Sequence, residues 1–124
     1  MKLRTAWPVL AKKAKDRCDA AQNNLIKARE HVKQLQASRE RMATLHEDYL
    51  QRSRQAEARA HSMAETLNFR GFMQQIQQLI TRVDIDLQQA AQHLQAMKAA
   101  LREAEKKTCS ARNPDGRGPQ AVQR

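Results

Sequence analysis

Between Pro8 and Gly71 the chain runs 62 residues without a glycine or a proline. No other feature constrains the fold as strongly. β-Sandwiches and barrels turn every few residues and draw on glycine and proline to do so, and this stretch excludes them. It is rich in Ala, Leu, Gln, Glu, Lys and Arg, which lose least on entering a helix. Only Trp7, Tyr49, Phe69 and Phe72 are aromatic among 124 residues. A compact globule of this size fills its core with more large side chains. Long helices with little enclosed core remain.

Apolar residues recur in alternating steps of three and four. One series is Cys18, Ala21, Leu25, Ala28, Val32, Leu35, Arg39, Met42, His46 and Tyr49, and its rhythm continues through Ser53, Ala56, Ala60, Met63 and Leu67. A second series is Met73, Ile76, Ile80, Val83, Leu87, Ala90, Leu94, Met97, Leu101 and Ala104, apolar at every step. A 3.5-residue repeat keeps one stripe of a helix against a partner, as in a coiled coil. Two such stripes in one chain predict an all-α fold, a long antiparallel two-helix coiled-coil hairpin over residues 1–108. The turn is expected between about Arg52 and Asn68, where propensity alone places it no better. Thr5 is the expected N-cap, with Pro8 in the first turn. The first helix is expected to outrun the second, so that its N-terminal part projects or finds a partner elsewhere. Residues 109–124 hold two of the three prolines and two of the three glycines and have little to bury. They are expected to be a disordered tail.

Charge is segregated. Residues 1–33 carry nine basic and three acidic side chains, residues 34–97 seven of each, and residues 98–124 seven basic and three acidic. A hairpin would gather the whole surplus of +10 at the end that holds both termini. Such a cluster steers acidic partners toward it. A generic solvated helix surface is the alternative reading of the same residues.

Catalytic chemistry is missing from the sequence. It contains no glycine-rich phosphate loop and no Ser/His/Asp arrangement, and a thin hairpin has no cleft to exclude water. His31, His46, His61 and His93 lack metal-ligand spacing. No enzyme activity, cofactor, metal or small-molecule substrate is expected. Cys18 and Cys109 are too few for a disulfide scaffold, which points to a reducing, cytoplasmic setting without a native disulfide. Neither a secretory signal nor a transmembrane run is visible.

The aromatics leave two readings open. Trp7 could be exposed and bind a partner, or cover its own helix. Phe72, Ile76 and Leu79 step by four and three and share one face, part of which lies beside the main seam. That face is either a docking patch near the turn or a wider core there.

The segment LNFRGFMQQIQQLI (Leu67 to Ile80) carries Asn68, Phe69 and Phe72 ahead of an apolar helical run, and Tyr49 lies upstream in LHEDYL. This order of long helix, Tyr, gap, Asn-Phe-x-x-Phe and second helix resembles the flagellar export protein FliJ family and its injectisome counterparts, over roughly residues 1–107. The resemblance implies a non-enzymatic coiled-coil stalk of the type III export apparatus. Its open end would enter the pore of the hexameric export ATPase. The region toward the turn would contact the cytoplasmic domain of the export gate, and export chaperones would be further partners. Gate binding carries over to Tyr49, Phe72 and Ile76, and also to Met42, Leu45 and Leu79. ATPase binding falls to the basic segment with Lys12, Lys13, Lys15 and Arg17. The implied location is the cytoplasm, at the inner face of the inner membrane, reached only through the export apparatus. One departure stands out: family members usually continue the second helix, whereas this chain stops looking helical near Lys107.

Two other classes compete. A basic coiled coil could bind nucleic acid, given a pI near 10.3. Its basic residues, however, cluster at one end, do not track a groove, and are not interleaved with aromatics. A structural spacer that dimerises through the N-terminal overhang is the third reading.

Overall fold

The propensity that dominates the sequence dominates the backbone. Helix α1 spans Lys2–Ala58, 57 residues, and helix α2 spans Met63–Arg112, 50 residues. The computed structural model describes residues 2–59 and 62–112, with side-chain surroundings for 7–59 and 62–107. Packing divides the chain into two units. One joins residues 1–30 to 92–124, and the other is residues 31–91. In each, a stretch of α1 lies against a stretch of α2.

The turn belongs to the second unit and sits inside the expected window. The Arg59 N–H donates to the Ala56 carbonyl at 3.1 Å, tightening the last turn of α1. Helix α2 then starts from Ser62, whose Oγ accepts from the Glu65 N–H at 3.2 Å. The Thr66 N–H donates to the Ser62 carbonyl at 3.2 Å, the first helical bond of α2. Ser62 is thus an N-cap, satisfying one of the donors a helix start leaves orphaned. Glu65 lies in the first turn of α2, where its negative charge suits the positive end of the helix dipole. Ser-x-x-Glu is the sequence pattern of such a helix start, and here it falls inside the window that propensity alone could not narrow.

Three expectations are corrected here. The first series does not continue through Met63 and Leu67, which are 73% and 59% exposed. The chain has turned before reaching them, so the α1 seam stops at Ala56, and Ala60 lies outside the described residues. Helix α1 already begins at Lys2, so Thr5 is not its cap and Pro8 lies inside it. Proline has no N–H to donate, and the helix runs on with one bond fewer. Helix α2 does not end near Lys107 but continues to Arg112. The rest of the expected tail, residues 113–124, lies outside the described residues.

Within the second unit, Arg39 meets Asp84 and Tyr49 meets Phe72, so one helix ascends as the other descends. Its buried residues are Ser53 and Ala56 on α1 and Ile76, Val83 and Ala90 on α2. Within the first unit, Arg17, Ala21 and Asn24 of α1 share a groove with Met97, Ala100 and Ala104 of α2. Its core is Ala14, Ala21, Leu25 and Ala28. All ten positions of the second apolar series are buried or half-buried, as a seam requires. Trp7 is half-buried and, with Ala11, Ala14 and Cys18, extends the first seam toward the N-terminus in the same steps of three and four. Cys18 is a free thiol. The side chain of Cys109 lies outside the described residues.

Candidate functional site

The turn brings three of the four aromatics together. Tyr49 sits on the α1 seam. Phe69 falls one step ahead of Met73 and so begins the α2 seam, while Phe72 stands beside it. The Tyr49 and Phe72 rings lie 4.4 Å apart between centroids with 31° between their planes. Tyr49 and Phe69 meet edge-on at 6.3 Å and 62°. Offset and edge-to-face contacts put the positive edge of one ring near the negative face of another and add about 0.5–1.5 kcal/mol beyond area burial. The Arg52 guanidinium stands 5.5 Å from the centre of the Tyr49 ring. That distance is within the reach of a cation–π attraction. Together Tyr49, Glu65, Asn68, Phe69 and Phe72 line a shallow, open cleft of about 270 Å³.

The residues singled out for gate binding all fall in this second unit but differ in exposure. Phe72 is 40% exposed although it stacks on Tyr49, Leu45 is 41% and Leu79 is 53%. Met42 and Tyr49 are half-buried. Ile76 is only 3% exposed. It fills the seam beneath the patch and presents no surface of its own, because its step in the apolar series points it at α1. Leu79 is one heptad from Phe72 and so shares its face of α2. Leu45 is one turn from Tyr49 on α1. The open choice between core and surface at Phe72 resolves into both, one part stacked on Tyr49 and the rest facing water. Sequence reasoning missed Arg52 and Glu65, because their part depends on which way the chain folds back.

Beyond the cluster, Arg39 interrupts the α1 seam and reaches Asp84 of α2. Its Nε donates to Asp84 Oδ1, and its terminal nitrogen stands 3.4 Å from Oδ2. The hydrogen bond to Asp84, and then the carboxylate's charge, raises the Arg39 pKa above the ordinary guanidinium value. The pair is half-exposed. Arg82 and Asp86 pair along α2 at 3.5 Å.

Lys12, Lys13, Lys15 and Arg17, singled out for ATPase binding, fall in the first unit, and all four are exposed. Arg17 also lines a groove together with Ala20, Ala21, Ala100, Glu103 and Lys107. The first unit holds fifteen basic and six acidic residues, a net charge of +9, and the second eight and seven, a net +1. No group of three or more His, Cys, Asp or Glu among the described residues could hold a metal ion. No described helix is long and apolar enough to cross a membrane. The second unit thus presents an aromatic contact surface, and the first a basic one.

No curated protein and no solved structure matches the chain. The family model described as flagellar FliJ protein matches residues 8–113, a span that takes in the turn, the aromatic cluster and nearly all of both helices. On that match, the chain belongs to the flagellar FliJ protein family.

Proposed function

We propose that this protein is a coiled-coil stalk that binds the hexameric flagellar export ATPase through its basic unit and the cytoplasmic domain of the export gate through its aromatic patch. Family membership makes the chain a component of the flagellar export apparatus. The finer assignment rests on one observation. Phe72 stacks on Tyr49, keeps 40% of its surface in water, and shares an apolar face with Leu79. A two-helix hairpin has no interior left to receive that surface, and a partner gains roughly 25 cal/mol per Å² by covering it, before the cost of ordering.

Gate binding is assigned to Tyr49, Phe72, Leu45, Leu79 and Met42, with Ile76 as their support from below. ATPase binding is assigned to Lys12, Lys13, Lys15 and Arg17, which suit an acidic surface lining a pore. The protein also escorts export chaperones and works at the cytoplasmic face of the inner membrane, without catalysis of its own. Pull-downs with purified ATPase and gate domain test both contacts. Phe72→Ala should lose the gate and keep the ATPase, and Lys12→Glu/Lys13→Glu/Arg17→Glu should do the reverse. If each variant retains both partners at moderate salt, the assignment is wrong.

A further inference from the structure

We infer that the Arg39–Asp84 pair is a register lock, which selects one alignment of the two helices from several that the apolar seam would accept. The seam of α2 is apolar at each of its ten steps, so a slip of one heptad exchanges Ile, Val, Leu, Met and Ala for one another. The turn does little to forbid it. From Arg52 to Asn68 there is neither glycine nor proline, and only the Ser62 cap marks where α2 must start. Tyr49 is similarly tolerant in one direction, where it would exchange Phe72 for Leu79, one heptad along the same face.

Arg39 has no such substitute. The heptad equivalents of Asp84 on α2 are Gln77 and Ala91, so a slip in either direction leaves the guanidinium facing a group that cannot neutralise it. Asp84 would face Val32 or His46. An exposed ion pair contributes little to total stability, but it separates alignments that apolar contacts barely distinguish. A polar residue at a seam position fixes register in coiled coils for the same reason. Arg39 occupies such a position, and the structure shows it turned out of the seam to reach Asp84.

The test uses the full chain with Cys18→Ser and Cys109→Ser, spin-labelled at the exposed positions Gln36→Cys and Gln74→Cys. A one-heptad slip moves one helix by roughly 10 Å along the other. The parent should give a single distance. Arg39→Leu/Asp84→Gln restores an apolar seam step, so it should stay helical and melt no earlier. It should nevertheless show a second population displaced by that amount, at up to about 10% of the molecules. The exchanged pair Arg39→Asp/Asp84→Arg should return to a single distance. One narrow distance in the Leu/Gln variant would overturn the lock, and so would two populations in the exchanged pair.

Discussion

The two units are built from the same two helices and held in different ways. In the first, α1 presents a nearly all-small face, with Ala14, Ala21 and Ala28 buried around Leu25. In the second, the α1 seam is broken by Arg39, His46 and Ser53 at heptad spacing, and larger residues of α2, Ile76 and Val83, are buried. Small side chains fill a seam without leaving room for growth. Mixed seams are bulkier and need polar contacts to fix their alignment. The charge difference runs the same way. Close apolar packing accompanies the +9 unit, and the near-neutral unit has the cross-helix ion pair and the aromatic cluster. Stability and partner chemistry are thereby distributed differently along one chain.

The largest expected effect is in the second unit. Ile76→Ala should cost about 2–4 kcal/mol, since the side chain is almost fully covered and its removal leaves a cavity. Leu87→Ala and Leu94→Ala, at half-buried steps, should each cost about half as much, because less surface returns to water. Thermal melts followed by circular dichroism measure all three. Equal losses at Leu94 and Ile76 would break the contrast between the units. Next comes Ala28→Leu in the first unit, where overpacking a 4%-exposed alanine should cost about 1–3 kcal/mol. A neutral result would mean that its α1 face is not tightly packed.

Smaller effects sharpen the description of the turn. Ser62→Ala should lose about 1 kcal/mol by removing the cap, seen in denaturant melts. Gly71→Ala should gain up to about 1 kcal/mol, because Gly71 lies inside α2 and an added Cβ meets nothing within 4 Å. The smallest effect concerns pH. A raised pKa means that the contribution of the Arg39 guanidinium is complete below its unfolded value and lost only as pH rises through the folded one. Both lie above the physiological range. The difference in melting temperature between the parent and Arg39→Gln should therefore be equal at pH 6.0 and 9.0, and should shrink with added salt.

Helix type, the second seam and the charge asymmetry were legible because each is a local or periodic property. Leucine, isoleucine and alanine at steps of three and four must face something, whatever that partner is. The family resemblance was legible for a related reason: Tyr49, Asn68, Phe69 and Phe72 keep a characteristic order along the chain. The turn was bracketed and not located, because Gln55 to Leu67 is mostly good helix formers without glycine or proline, and Ser62 with Glu65 is a weaker signal than either of those would be.

By itself, then, the sequence determined that this chain forms two long helices with one apolar stripe each and a basic surplus at its two ends. Tertiary structure decided which residues near the stripe are covered. Ile76 and Phe72 are both apolar and lie four residues apart, yet one is buried and the other stands 40% in water. Their difference depends on where α1 passes, and that depends on where the chain turns. Arg39 shows the same dependence. On one helix it is a flaw in an apolar series, and only the return of α2 on one particular register brings Asp84 within its reach. Periodicity reports the face a residue occupies, whereas its contacts are set by the partner helix, which local propensity does not encode.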